Sequence, residues 1–221
     1  MCVDVVLFFL SKIPVHRGVD QASVDYSWTA GMPRISRWLL QYYGDDGNRT
    51  QRAWWQHNLK WAHAQVLANN GSLPYQASYG DLSAPWMLPV HTDKVTKARE
   101  AEAASAANFL LALKAMVQLA GTVGDRSDGA LLSKMLSNFQ ADYEAKYWSP
   151  EENSFSNTTA ASGATQTTDA IAVDAGAGTV EIRQQAIATL MADVVSKNYT
   201  LMVGNIGSQR LWTTLSNDAG Q

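Results

Sequence analysis

Cysteine is nearly absent from this chain, and neither basic charge nor long apolar runs dominate it. A single cysteine in 221 residues excludes a disulfide within the chain and a cysteine metal cluster. The 17 Lys and Arg against 20 Asp and Glu give a net charge of -3, which argues against a nucleic-acid partner. The apolar start, residues 1–10, contains Asp4 and no basic residue before it, so it is a poor signal peptide and too short to span a bilayer. We therefore expect neither a nucleic-acid partner nor a membrane span.

Several motifs of common enzyme classes are also missing. The chain has no Gly-x-Ser-x-Gly elbow for a serine nucleophile and no Gly-rich phosphate loop of a nucleotide-binding protein. Gly204 and Gly207 precede a predicted helix, but the lysine and the strand of a phosphate loop are absent there. His16 and His91 have no partners at metal-ligand spacing. We therefore predict no metal and no cofactor.

Helical periodicity dominates what is present, and it predicts an all-α fold. No stretch shows a convincing strand pattern. Apolar residues recur at helical spacing between glycine-containing or polar breaks. The predicted helices cover roughly residues 32–43, 50–69, 92–120, 125–147, 165–176 and 180–197, and a last helix follows Gly204 and Gly207 and ends near residue 217.

Each predicted helix has an apolar face that we expect to be buried. The third helix is the most apolar, and its small residues between Ala103 and Leu113 allow a neighbouring helix to approach closely. The predicted apolar faces include Tyr42, Leu67, Leu131, Met191 and Trp212.

The connections between these helices alternate in length. The turn at residues 43–48 is tight, whereas residues 70–91 and 148–165 form long polar or aromatic loops. A ring of helical hairpins produces this alternation, with short turns on one rim and pocket-forming loops on the other. A plain helical bundle is the alternative, but it does not need long loops on one rim.

Short motifs in a fixed order resemble the six-hairpin (α/α)6 catalytic domain of bacterial and fungal α-L-rhamnosidases. They are the segment Asp4-Val5-Val6, the tryptophan loop at residues 27–30, Tyr79-Gly80-Asp81, Gln166-Thr167 at a helix start, and the Gly-rich segment with its helix at 200–220. The resemblance implies that residues 1–221 form one domain, the central part of an incomplete (α/α)6 toroid of antiparallel helical hairpins. Leu82 departs from the family, which commonly has tryptophan after Tyr-Gly-Asp.

The resemblance implies an inverting glycoside hydrolase that removes terminal α-L-rhamnose from a carbohydrate substrate. Inversion requires two separated carboxyl groups, one that protonates the leaving oxygen and one that activates a water. In the family the general acid lies upstream of the tryptophan loop and the general base lies downstream of the late Gly-rich helix. Residues 1–221 contain neither segment, so we assign no catalytic residue and expect this chain to be inactive alone.

Trp28, Tyr79 and Asp81 are the predicted substrate-binding residues, by resemblance to the family's pocket loops. The flat indole of Trp28 suits the face of a deoxysugar ring, although a single tryptophan is more often part of a core. Asp81 follows a glycine in a loop, where it could bind a sugar hydroxyl or cap a turn. Residue types alone leave open a different acid–base pair among Asp25, Asp81, Glu151 and Asp169.

Two other kinds of protein fit the same pattern. One is a non-catalytic helical carbohydrate-binding or scaffold protein with the same toroid, and the other is a helical enzyme with unrelated chemistry. An incomplete ring also leaves apolar helix faces exposed, which predicts self-association of the isolated chain. The Asn-x-Ser/Thr sites at Asn48, Asn70, Asn157 and Asn198 are compatible with a secreted longer protein, but the sequence leaves the location undetermined.

Overall fold

The computed structural model of the chain describes residues 26, 30–44, 49–75, 94–123, 126–155 and 166–218. Within these ranges the backbone is helical, and an isolated antiparallel bridge between Ser149 and Ser154 is the only extended pairing. The prediction of an all-α fold is confirmed. The helices are α1 Gly31–Tyr43, α2 Arg49–Ala68, α3 Lys94–Ala120, α4 Arg126–Tyr147, α5 Gln166–Ala175, α6 Val180–Ser196 and α7 Gly207–Asp218.

Local residues explain where these helices begin and end. Gly44 has φ of 73°, a left-handed conformation that glycine adopts at no steric cost, and its N–H donates to the Leu40 carbonyl at 3.0 Å. Thr179 starts α6, because its hydroxyl accepts from the Ile182 N–H at 3.3 Å. The predicted helix boundaries agree with the observed ones to within about two residues.

Consecutive helices form antiparallel hairpins. In the first hairpin, Tyr26 before α1 bonds Gln65 late in α2, while Ser36 bonds Asn58 in the middle of α2. The α3–α4 pair follows the same rule, since Tyr143 near the end of α4 donates to the Ala103 carbonyl near the start of α3.

Helices α1, α3 and α5 pack side by side in one layer, α7 packs on α5, and α2, α4 and α6 pack against the helices that precede them. The connections after α1, α3 and α5 are short, whereas the connections before α3, α5 and α7 are longer. Antiparallel order places the long connections on one rim, which we call the long-loop rim. The predicted alternation of short turns and long loops is confirmed.

Helix α3 forms the centre of the core. Every residue from Ala103 to Leu113 is buried, and its alanines let the neighbouring helices approach closely. Phe109 packs against three aromatic rings, those of Tyr26 at 5.3 Å, Trp61 at 5.4 Å and Phe139 at 6.2 Å between centroids. Residues 102–120 are long and apolar enough to cross a membrane by length and composition, but 83% of that window is buried inside the fold.

The expected burial of five apolar side chains was wrong. Tyr42, Leu67, Leu131, Met191 and Trp212 have exposed fractions between 47% and 77%. Helical periodicity identifies the apolar side of a helix, but a single neighbouring helix covers only part of that side. Side chains at the edge of the stripe therefore face solvent, and self-association through such faces stays a prediction.

Candidate functional site

The three predicted substrate-binding residues, Trp28, Tyr79 and Asp81, lie outside the described residues. The structure does describe Tyr26, directly before the tryptophan loop, and Ala30, the last residue of that loop. Tyr26, which is 1% exposed, donates its backbone N–H to Ser105 Oγ and its hydroxyl to Gln65 Oε1, both at 3.0 Å. The Ala30 N–H donates to the Tyr26 carbonyl at 3.2 Å. Residues 27–29 therefore connect two fixed points at the start of α1.

Tyr26 is held in its neutral form. Burial raises the pKa of its hydroxyl to about 12, and the hydrogen bond from Asn69 opposes the rise only in part. Its ring packs edge-on against Phe109 and Trp61. Tyr26 thus ties the tryptophan loop to the aromatic core by packing and by neutral hydrogen bonds.

Gln166, at the predicted Gln-Thr motif, begins α5 and fixes the segment that leads to α7. Its side-chain Nε2 donates to Asp193 Oδ2 at 2.9 Å and to the Thr200 carbonyl at 3.3 Å. Its Oε1 accepts from the Met202 N–H at 2.8 Å. Because the side chain uses its donors and its acceptor within the protein, Gln166 acts as an anchor of the 200–202 backbone.

Asp169, one turn into α5, holds the loop after α4. Its carboxylate accepts from the Phe155 N–H at 2.7 Å and from the Ser154 hydroxyl at 3.0 and 3.1 Å. Glu151, another candidate for the acid–base pair, is exposed and accepts from the Ser149 hydroxyl at 3.1 Å. Asp25, the remaining candidate besides Asp81, also lies outside the described residues.

These anchors share the long-loop rim. They join the starts of α3 and α5 to the ends of α2, α4 and α6, as in the hydrogen bond from the Tyr147 hydroxyl to Glu102 at 2.8 Å. Loops held by rigid helix ends can present side chains in a fixed geometry, which is what a ligand pocket requires. The long-loop rim is the candidate functional site.

A cleft of about 230 Å³ opens next to this rim, between the segment after α2 and the last turns of α4. The Lys146 ammonium lies 3.7 Å from the Tyr75 ring centroid and 2.6 Å from Glu102 Oε1. Among the residues that the structure describes, no group of three His, Cys, Asp or Glu side chains could hold a metal ion. The cleft is lined by Ser72, Leu73, Tyr75, Asp142, Lys146 and Tyr147.

A second group of polar residues, which sequence reasoning missed, lies between α1, α3, α5 and α7. Asp174 Oδ2 is 2.6 Å from Arg210 Nη1, and Asp174 Oδ1 is 3.8 Å from Lys114 Nζ. Lys114 also donates to the Asp174 carbonyl. On α1, Arg34 Nη1 donates to Asn108 Oδ1 at 3.1 Å.

Burial and neighbouring charges shift the pKa values of Asp174 and Arg34 in opposite directions. Burial raises the pKa of the Asp174 carboxyl, and Lys114, Arg34 and Arg37 oppose the rise. Burial lowers the pKa of the Arg34 guanidinium, and Asp174 opposes that change. The only signals in the sequence were a carboxylate in the apolar helix α5 and two arginines three residues apart on α1.

The layered hairpins and the loop-bearing rim define an all-α domain, an incomplete (α/α)6 toroid. The model of the bacterial alpha-L-rhamnosidase six-hairpin glycosidase domain matches residues 10–221, and the chain belongs to this family. The resemblance to this family is thereby confirmed.

Solved structures of α-L-rhamnosidases share the fold at low sequence identity. The Dictyoglumus thermophilum enzyme is 18% identical with a TM-score of 0.74, and the match covers 87% of this chain and 21% of that one. The Streptomyces avermitilis enzyme complexed with L-rhamnose is 19% identical with a TM-score of 0.68, over 86% of this chain and 16% of that one. The Klebsiella oxytoca enzyme with rhamnose bound is 16% identical with a TM-score of 0.60, over 95% and 38%.

The chain thus spans between 16% and 38% of the length of these enzymes. No curated protein sequence matches it.

Proposed function

We propose that this domain belongs to an inverting glycoside hydrolase that removes terminal α-L-rhamnose, and that residues 1–221 alone do not catalyse the reaction. The family match over residues 10–221 is the observation that carries the proposal. The rhamnose bound in the Streptomyces and Klebsiella enzymes supports a rhamnoside as the substrate.

The proposed role of this chain is to build one wall of the sugar pocket. Inversion needs an acid and a base on opposite sides of the scissile bond, with room for a water between the base and the sugar. We propose that the acid lies upstream of the tryptophan loop and the base downstream of α7, as the resemblance implies. The described carboxylates Asp169 and Asp174 support a structural role for this chain instead of an acid–base role, since each is bound to partners within the protein.

Trp28, Tyr79 and Asp81 are the residues that we propose contact the sugar. Stacking on the Trp28 indole would orient the ring, and Asp81 would accept a hydrogen bond from a sugar hydroxyl. The anchoring of Tyr26 and Ala30 supports a fixed position for the ends of the tryptophan loop. Catalysis gains from such positioning because the reacting groups then need no further ordering.

Hydrolysis of a chromogenic α-L-rhamnoside tests the proposal directly. We expect the purified 221-residue chain to release no product above a blank preparation, because the proposal assigns the acid and the base to segments outside this chain. A longer protein that contains this chain should hydrolyse the same compound.

Either deviation would be informative. Activity of the 221-residue chain would contradict the division between wall and catalytic pair, and the acid and base would then be sought within the chain. Inactivity of the longer protein would favour the non-catalytic carbohydrate-binding alternative.

A binding experiment tests the role of the tryptophan loop separately from hydrolysis. We expect Trp28→Ala to weaken binding of L-rhamnose to the chain about fivefold, since loss of a ring contact costs on the order of 1 kcal/mol. Isothermal titration calorimetry with L-rhamnose measures the dissociation constants of the unsubstituted chain and of Trp28→Ala, and hence their ratio. Trp212→Ala is the matched control, because Trp212 is 61% exposed on α7. An equal effect of both substitutions would argue against a specific contact at Trp28.

A further inference from the structure

Two basic side chains contact a single carboxylate on the inner layer of helices, and two arginines of α1 lower the pKa of that carboxylate. Arg34 and Arg37 lie on the same face of α1, since they are three residues apart, while Lys114 comes from α3 and Arg210 from α7. The carboxylate is Asp174 on α5, which Lys114 and Arg210 contact directly. Arg34 and Arg37 are close enough to act on the pKa of Asp174. We call these five residues the basic cluster.

The positive charge of the basic cluster is not balanced within the described part of the chain. Arg210 and Lys114 share Asp174. Arg34 has a neutral amide, Asn108, as its hydrogen-bond partner, and its guanidinium lies 5.5 Å from the Trp38 ring. Arg37 is half-buried and makes no hydrogen bond or ion pair with any residue that the structure describes.

Three other described carboxylates have partners outside the basic cluster and therefore do not balance its charge. Glu102 pairs with Lys146 at the outer cleft, Asp193 pairs with Lys197, and Asp169 holds the loop after α4. Removing a guanidinium from water is unfavourable unless an anion or several hydrogen bonds replace the solvent. Burial already lowers the pKa of Arg34, which reports this cost.

We propose that the basic cluster is a binding site for an oxyanion, held by Arg34 and Arg37 with Lys114 at its solvent side. Guanidinium groups bind carboxylate, sulfate and phosphate oxygens with paired N–H donors, and two of them on one helix face can share one anion. Lys114 has a side chain that is 40% exposed, so the cluster is open to solvent. The anion is either the carboxylate of an acidic sugar or a free inorganic oxyanion. The inference goes beyond the proposed function, because it requires no hydrolysis.

Titration of the 221-residue chain with two probes distinguishes these sources. D-Glucuronate carries a sugar carboxylate, inorganic phosphate is the free oxyanion, and D-glucose is the neutral counterpart of glucuronate. We expect glucuronate, phosphate or both to bind with an affinity that falls as salt is added, and glucose not to bind. Binding of glucuronate alone assigns the site to an acidic sugar, and binding of phosphate shows a site for free oxyanions.

Substitutions on α1 locate the binding. We expect Arg37→Ala to weaken anion binding at least about tenfold and Arg37→Lys to restore part of it, because lysine keeps the charge without the paired donors. Lys134→Ala on the exposed face of α4 removes one positive charge elsewhere and serves as the control. Equal weakening in Lys134→Ala, or no binding of either anion, would overturn the proposal.

A stability measurement covers the case in which Arg37→Ala fails to fold. Arg37→Gln should leave the melting temperature unchanged or raise it without ligand, because it relieves repulsion between neighbouring cations. A marked fall would instead indicate that Arg37 is already paired with a carboxylate of the protein, and would overturn the proposal.

Discussion

Replacing Phe109 with alanine is expected to lower the free energy of unfolding by about 4 kcal/mol. Phe109 is fully buried in α3, and its ring contacts the rings of Tyr26, Trp61 and Phe139. These neighbours come from the segment before α1, from α2 and from α4. The loss therefore combines the transfer energy of the ring with a cavity that rigid neighbours fill only in part.

Urea unfolding followed by circular dichroism measures this change. Phe109→Leu keeps most of the volume and should cost less than about 2 kcal/mol, whereas Leu131→Ala on the exposed side of α4 should stay within about 0.5 kcal/mol. If Phe109→Ala costs no more than Leu131→Ala, the aromatic cluster is not the centre of the core.

The helix boundaries were predictable because the chain marks them with local signals. Gly44 stops α1 through a conformation that needs glycine, and Thr179 caps α6 through its own side chain. Both effects act within a few residues, so a single sequence contains all the information that they require. The motif at Gln166 was equally visible as a helix start, and α5 does begin there.

Contacts between distant helices were not predictable in the same way. Asp174 and Arg210 are 36 positions apart, and only the packing of α7 on α5 brings them to 2.6 Å. A carboxylate in an apolar helix indicated that some partner must exist, but not which one. The predicted burial of Trp212 was wrong for a related reason, since the area of a helix that its neighbours cover is a property of the assembled layer.

The role of Asp169 was also not predictable from the sequence alone. The sequence left open that Asp169 is the acid or the base of a catalytic pair, and the structure instead shows it as an anchor, bonded to the loop after α4 through Phe155 and Ser154. Carboxylates accept hydrogen bonds in all of these roles, so residue type alone could not separate them. The spatial neighbour, a backbone N–H fourteen residues earlier in the chain, decides between them.

Substitution of Asp169 by alanine is expected to lower the free energy of unfolding by about 3 kcal/mol. The Phe155 N–H is buried and would lose its acceptor, and the Ser154 hydroxyl would lose its bonds to the carboxylate. A buried donor without an acceptor costs the full loss of hydration, and bonds to a charged acceptor are among the stronger ones. Asp169→Asn retains one carbonyl acceptor and should lose roughly half as much.

Amide hydrogen exchange separates this local role from a general loss of stability. In Asp169→Ala the Phe155 amide should exchange much faster than in the unsubstituted chain. The exchange rates of amides in the centre of α3 should change only as far as the free energy of global unfolding changes. Asp142→Ala, at an exposed carboxylate of α4, is the matched control and should change neither. Unchanged protection of Phe155 in Asp169→Ala would show that another group holds the loop. Faster exchange confined to that loop would instead identify Asp169 as the residue that ties the long-loop rim to the inner layer, and would explain why a carboxylate occupies the buried first turn of α5.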